Sequence, residues 1–205
     1  APYLATRVLR SFARERNMIE HPPCLSEKEP VRAVVLAAGP GTLAGTDIPL
    51  LLHPLAGRAI VDYVVENALH FVSPQETYVV GGTQHERIQQ HIERAFGKGF
   101  HYVEQSESLG TGHAVLQTKP YLGDFEGDVL ILYGDTPLFR ASSIRGLLNR
   151  HRLTAAALTL LTAVVTRPLP YGRIIRDRDN RLIDIIEADD ASPETPRKTK
   201  NAPTI

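Results

Sequence analysis

From residue 31 onward, short and nearly continuous apolar runs alternate with segments whose apolar residues recur every three to four positions. No other feature restricts the fold as much. Val31 to Ala38 is apolar apart from Arg32, which suits a strand buried on both faces. Gly39-Pro40-Gly41-Thr42 breaks that run, and Ile60, Val64, Val65, Ala68 and Leu69 then form a helical stripe. Thr77 to Val80 reads as a second strand. Ile88, Ile92 and Ala95 read as a helix face stopped by Gly97, and Phe100 to Val103 as a third strand. Ala114 to Leu122 predicts a short helix, Val129 to Tyr133 a fourth buried strand, Ile144, Leu147 and Leu148 another helix, and Ala157 to Val165 a return to strand. Strands alternating with helices predict βαβ units. The fold class is therefore α/β, a mostly parallel sheet with helices on both faces.

Two segments stand apart from this pattern. In residues 1–30, Leu4, Val8 and Phe12 are spaced by four with Arg7, Arg10, Arg14 and Arg16 among them. That pattern predicts a short amphipathic helix with a basic face. A Pro-marked linker from His21 to Pro30 follows, so the expected division is an arm over 1–30 and a domain over 31–205. The arm reads either as a helix packed on the domain or frayed from it, or as a docking segment for a protein partner. Near the other end, Tyr171 to Arg176 and Leu182 to Glu187 predict two short strands joined by Asp177-Arg178-Asp179-Asn180. Residues 188–205 read as a polar loop whose basic run at 197–200 is solvated.

Composition removes several function classes. Lys+Arg and Asp+Glu are both 23, so the formal charge is zero, which argues against bulk binding to nucleic acid or an anionic membrane. A single cysteine, Cys24, excludes an intrachain disulfide and a multi-cysteine zinc site. The apolar runs fall well short of the ~20 residues of a membrane span, and the first residues lack the pattern of a secretory signal. A cytoplasmic globular protein is the expectation.

In an open α/β sheet, ligands bind beyond the carboxyl ends of the strands. Three segments fall there: Gly39-Pro40-Gly41-Thr42, Gln105 through His113, and Gly134-Asp135. Glycines after a first strand let backbone N–H groups approach a phosphate, but they equally make an ordinary tight turn. The spacing matches neither GxxxxGK[ST] nor GxGxxG. A carboxylate after an apolar strand and a glycine, as at Asp135, suits a Mg²⁺ ion that also carries substrate phosphates; a helix cap or turn aspartate is the structural alternative. His113 reads as a helix-start residue packed locally, and His53, His85, His91 and His101 have no metal-ligand spacing.

Six motifs in register resemble a known family. They are Leu36-Ala37-Ala38-Gly39-Pro40-Gly41-Thr42; Asp47-Ile48-Pro49; Leu52-His53-Pro54-Leu55-Ala56-Gly57-Arg58; Gln105 to Ala114; Tyr133-Gly134-Asp135-Thr136-Pro137-Leu138; and Tyr171-Gly172-Arg173-Ile174. Together they resemble the sugar nucleotidyltransferases, and among these the uridylyltransferase domain of the bacterial bifunctional N-acetylglucosamine-1-phosphate enzyme. The resemblance spans residues 31–192 and implies a Rossmann-like nucleotidyltransferase fold. It implies UTP and a sugar 1-phosphate as ligands, with Mg²⁺ as cofactor. By the same resemblance, Ala37, Ala38, Gly39, Gly41 and Thr42 would face the nucleotide. Gln105, Gly110 and Thr111 would read the uracil edge, and Asp135 would hold Mg²⁺. Arg58 matches a basic residue common in the family. Gly172 and Glu187 would contact the sugar, and Asn201 matches the family's sugar-binding Asn across a one-residue gap.

The chain also departs from the family. Its signature runs LAAGxGTRM and then SxxPKxLH, and here Leu43, Ala44 and Leu50 replace the Arg, the Met and the Lys. In the family that Arg and Lys lie along the triphosphate. Losing one preorganised charge typically costs ~2.7–4 kcal/mol. The family's domain continues beyond this point with further strands, a second metal-ligating Asn and much of the sugar pocket, so a truncated core is expected here. Leu50-Leu51-Leu52 reads as an exposed apolar triplet, suited to a closed pocket or a protein partner. Two readings therefore stay open: a working nucleotidyltransferase, or a degenerate member that binds a nucleotide or acts as an interaction protein.

Overall fold

The computed structural model describes residues 29–39, 46–82, 85–162, 172–179 and 181–186. The expected helix in the N-terminal arm lies outside these residues. The chain divides into two compact units with the boundary between Gly146 and Leu147.

The first unit is built on a sheet of four parallel strands. These are β1 (Val31–Ala37), β4 (Thr77–Gly81), β5 (His101–Glu104) and β6 (Asp128–Tyr133), in the order β5-β4-β1-β6. A two-residue hairpin, β2 (Pro54–Leu55) with β3 (Arg58–Ala59), sits between β1 and β4 in sequence. The helices are α1 (Ile60–Leu69), α2 (His85–Phe96), α3 (Thr111–Gln117), α4 (Lys119–Leu122) and α5 (Ala141–Leu153), the last of which crosses the boundary between the units.

The strand order explains which face each helix covers. From β1 the chain steps to β4 and then β5 in one direction across the sheet, then jumps back past both strands to β6. Right-handed crossovers put connections of opposite direction on opposite faces. Accordingly α1 and α2 pack on one side: Val61, Val64, Val65, Ala68, Ile88 and Ile92 are buried with Ala33, Val35 and Ala37. α3 and α4 pack on the other, where Ala114 and Leu122 meet Val34 and Leu36. The period of two along β1 thus divides one apolar run between two cores.

Arg32, the one charge in that run, stays at the strand's start. Its guanidinium lies 4.2 Å from the Phe125 ring centroid and donates to Leu122 O at 3.4 Å. Between α1 and α2, the buried Asp62 carboxylate accepts from Ala59 N–H at 3.0 Å and meets His91 Nε2 at 2.7 Å.

Three expectations are corrected. The single helix expected over Ala114 to Leu122 is two, α3 and α4, with the break at Thr118, whose hydroxyl turns back to Val115 O at 2.7 Å. No strand forms over residues 157–162, the described part of the run expected there. An apolar run specifies burial, not a pairing partner, and these residues make no ladder bonds. Finally, Leu50–Leu52 is not an exposed triplet. It forms a 3-10 turn with Leu51 buried in the α1 core and Leu52 packed against that core.

The second unit contains an antiparallel hairpin, β7 (Arg173–Arg176) with β8 (Leu182–Ile186), as the alternation predicts. Asp177 shapes the turn, its carboxylate accepting from the N–H groups of Asp179 at 2.9 Å and Arg181 at 2.8 Å.

Tyr102, on β5, has a buried hydroxyl with no hydrogen-bond partner among the described residues. Burial, with Glu93 as a lesser cause, pushes its phenol up to about 12. The folded chain thus keeps this proton while the unfolded chain loses it near pH 10. Stability is therefore expected to fall as pH rises from about 10 toward 12. Tyr102→Phe should remove this alkaline loss and raise neutral-pH stability by up to about 1 kcal/mol. Denaturant melts at pH 7 and pH 11 check both effects, and a Phe variant less stable at both values would contradict them.

Candidate active site

The reversal of chain direction across the sheet places a topological switch point between β1 and β6. In an open α/β sheet, ligands bind outside the carboxyl ends of the strands at such a point. Ala38 and Gly39 follow β1 at that edge, half-buried and exposed respectively. Gly134 and Asp135 follow β6, and Gln105 follows β5.

Gly134 sets the spacing across the switch point. Its N–H donates to Leu36 O at 2.9 Å, which extends the β1–β6 ladder by one bond. A Cβ at this position would stand 2.8 Å from Leu36 O and 3.0 Å from Leu51 Cδ1. Only glycine lets the two strand ends approach this closely. Asp135 then sits in a turn closed by Thr136, whose N–H and hydroxyl both donate to Tyr133 O, at 3.2 and 2.8 Å. Asp135 is exposed in this turn, and among the described residues no cation pairs with it.

The edge of β5 is polar and preorganised. Gln105 extends the strand by donating its N–H to Gly81 O at 2.8 Å, and the residue is only 5% exposed. Its amide Nε2 donates to Gly110 O at 3.1 Å and lies 3.0 Å from His113 Nδ1. Gly110 has φ +98°, a left-handed conformation that favours glycine. Its carbonyl also accepts from Ala114 N–H at 3.1 Å, in the first turn of α3. Gly110 and Thr111 themselves remain exposed. His113 packs locally in the first turn of α3, as expected, and both its ring nitrogens meet glutamine amide nitrogens, Nδ1 that of Gln105 and Nε2 that of Gln117 at 2.9 Å. The signal was available in the spacing Gln105-x4-Gly110-x2-His113, which needs the tight turn at Gly110 to close.

Of the residues expected at the site, the structure thus brings Ala37, Ala38, Gly39, Gln105, Gly110, Thr111 and Asp135 to the carboxyl ends of the sheet strands. Arg58 is engaged on α1: its guanidinium donates to Glu66 at 2.8 Å and covers the Tyr63 ring at 4.8 Å. The Glu66 hydrogen bond raises its pKa further above the ordinary value. Leu50 is half-buried beside the core residue Leu51. Gly172 is buried at the start of β7 in the second unit. Gly41, Thr42, Leu43, Glu187 and Asn201 lie outside the described residues.

The residue set tests the fit of a divalent cation. Among the described residues no three His, Cys, Asp or Glu side chains cluster as a cage. A lone exposed carboxylate fits Mg²⁺ nonetheless, since that ion usually takes one or two protein oxygens and completes its shell with water and substrate phosphates.

The family model for the MobA-like NTP transferase domain matches residues 33–192. The chain belongs to that family. The resemblance to the nucleotidyltransferases read from the sequence therefore holds. Among curated relatives, the bifunctional protein GlmU of Geobacter metallireducens is 44% identical over 162 residues, covering 79% of this chain and 33% of the relative. That of Gloeothece citriformis is 40% identical over 162 residues, covering 79% of this chain and 35% of the relative. The chain thus spans about a third of the length of the curated relatives it matches. Solved structures share the fold at low identity. The inositol-1-phosphate CTP transferase from T. maritima superposes with a TM-score of 0.60 at 17% identity, covering 84% of this chain and 67% of that one. The 4-diphosphocytidyl-2C-methyl-D-erythritol synthase from Anaerococcus prevotii does so with 0.54 at 15% identity, covering 85% and 67%. No helix among the described residues is long and apolar enough to cross a membrane.

Proposed function

We propose that this NTP transferase domain joins a uridylyl group to a sugar 1-phosphate, converting UTP and N-acetylglucosamine 1-phosphate to the UDP-sugar and pyrophosphate. One observation carries the reading. The carboxyl edge of the parallel sheet carries a glycine-faced strand end after β1, a hydrogen-bonded amide at Gln105 and, at Asp135, an exposed carboxylate that pairs with no cation among the described residues.

In this reading the backbone at Ala37, Ala38 and Gly39, with Gly41 and Thr42 after it, approaches the nucleotide. Gln105, Gly110 and Thr111 hold the base. Asp135 is the metal ligand, and Mg²⁺ when bound supplies positive charge to the phosphates. A phosphate oxygen of the sugar 1-phosphate attacks the α-phosphorus of UTP in line. A new P–O bond forms, the bond to the bridging oxygen breaks, and pyrophosphate leaves with the electron pair. The chain contributes positioning and charge, with no covalent intermediate. Gly172, Glu187 and Asn201 are assigned to the sugar, and Arg58, whose charge is shared with Glu66, to the phosphates.

A second reading is favoured by a specific observation. The family's signature Lys is Leu50 here, half-buried next to a core leucine, and its Arg is Leu43. A domain so altered would bind nucleotide without efficient turnover. Pyrophosphate release measured with UTP, Mg²⁺ and N-acetylglucosamine 1-phosphate separates the two. Release that requires all three supports the enzyme; UTP binding in calorimetry without release supports the degenerate reading; neither binding nor release overturns both. Leu43→Arg combined with Leu50→Lys is expected to tighten UTP binding about tenfold or more, because two charges return beside the triphosphate. Unchanged affinity would count against a preserved phosphate path.

A further inference from the structure

We infer that Asn67, on α1, is a positioning residue for Asp135: its amide anchors the far end of the loop that carries the carboxylate. The inference rests on the reading above for the role of Asp135, while the anchor itself stands on the free protein.

The loop from Gly134 to Arg140 joins β6 to α5. Its near end is held by the strand ladder, where Gly134 N–H donates to Leu36 O at 2.9 Å. Thr136 then folds back on Tyr133 O through its N–H and its hydroxyl. The crest of the loop gains little from packing, because Leu138 is 85% exposed.

The far end is held from another element. Asn67 Nδ2 donates to Phe139 O at 2.8 Å, across 72 positions of sequence. A carbonyl can only accept, so the amide must turn its nitrogen toward it. The helix that offers this donor is a firm base, since Val61, Val64, Val65 and Ala68 are at most 2% exposed. Arg145, in the second turn of α5, adds a further tie, its guanidinium lying 5.3 Å from the ring centroid of Phe71 just beyond α1.

Only four residues separate Gly134 from Phe139, and Asp135 is one of them. A segment this short, fixed at both ends and stiffened by Pro137, has few conformations open to it. Released at Phe139, it would hinge at Gly134 and Thr136, and the Asp135 carboxylate would range over more positions. A carboxylate that shares Mg²⁺ with substrate phosphates has to be held where those phosphates arrive.

Asn67→Leu and Asn67→Asp nearly keep the size of the side chain and remove the donor, whereas Asn67→Gln keeps an amide. Amide exchange followed by NMR on the free protein reads the anchor. In the Leu and Asp variants Thr136 N–H is expected to exchange about tenfold faster while Gly134 N–H, bonded to the central strand, is unchanged; in the Gln variant the gain should stay below about threefold. An unchanged Thr136 would overturn the anchor, and equal acceleration at both amides would make Asn67 a general stability residue. Binding of Mn²⁺ to the UTP-saturated protein, followed by electron paramagnetic resonance, reads the link to Asp135. The Leu and Asp variants should bind Mn²⁺ about tenfold more weakly, with the Gln variant in between, while UTP binding in EDTA stays within about twofold. Undiminished Mn²⁺ affinity beside a loosened loop would overturn the positioning role, as would an equal loss of metal-free UTP binding. An unaltered chain that binds no Mn²⁺ with UTP, or an Asp135→Ala variant that binds it equally well, would instead overturn the reading of Asp135, and the positioning role with it.

Discussion

Asp135→Ala is expected to lower pyrophosphate release by about 10²–10³, the effect of removing one preorganised electrostatic group from a phosphoryl-transfer site. Stability should change by less than about 0.5 kcal/mol, because the carboxylate is exposed and pairs with no cation among the described residues. The contrast between the two readouts carries the prediction. Steady-state release at saturating Mg²⁺ and a denaturant melt, run on one preparation, measure it. A variant with rates near those of the unaltered chain would remove Asp135 from the reaction. So would a rate loss matched by a large loss of stability.

Gly134→Ala should show the complementary pattern, with both stability and rate reduced. The added methyl meets Leu36 O at 2.8 Å and Leu51 Cδ1 at 3.0 Å. The leucine tip has some freedom, but the carbonyl belongs to the central strand and does not. Relief must come from displacing the end of β6, at a cost of about 1–3 kcal/mol, as for other overpacked sites. The displaced segment carries Asp135, so turnover is expected to fall about 10²-fold even where the fold survives, since small misplacements of a positioned group are expensive. A Gly134→Ala variant that melts like the unaltered chain would show that β6 is not held against Leu36 as tightly as described.

These two residues also show how far the sequence could be read. Asp135 was identifiable because a carboxylate follows a fully apolar strand and a glycine, and strand ends are where α/β sheets bind ligands. The need for Gly134 was not, because a glycine after a strand equally serves any tight turn. Its reason lies in Leu36 and Leu51, which are far away in sequence. Arg58 presents the opposite case. Its motif marks it as a basic residue common in the family, but its contacts with Glu66 and Tyr63 follow from the register of a two-residue hairpin against α1.

His113 was legible only in part. A lone histidine at a helix start has many structural uses, and spacing does not tell which ring nitrogen carries the proton. The left-handed turn at Gly110 brings Gln105, Gly110 and His113 together, a contact set by backbone geometry that residue spacing alone does not show. The Leu50–Leu52 segment failed as an expectation for a related reason. Three leucines between Pro49 and His53 read as a loop segment, whereas a single 3-10 turn is enough to drop Leu51 into the core.

The sequence by itself determined the α/β class, most element positions and the family, because periods of two and of three to four, and motifs in register, are local properties of the chain. Strand order was decided only in three dimensions. The return from β5 past β4 and β1 to β6 creates the switch point, puts α1 and α2 on one face and α3 and α4 on the other, and brings Gly39, Gln105 and Asp135 to one edge. Neighbouring strands are paired by long-range packing, and local periodicity carries no record of which strand lies beside which.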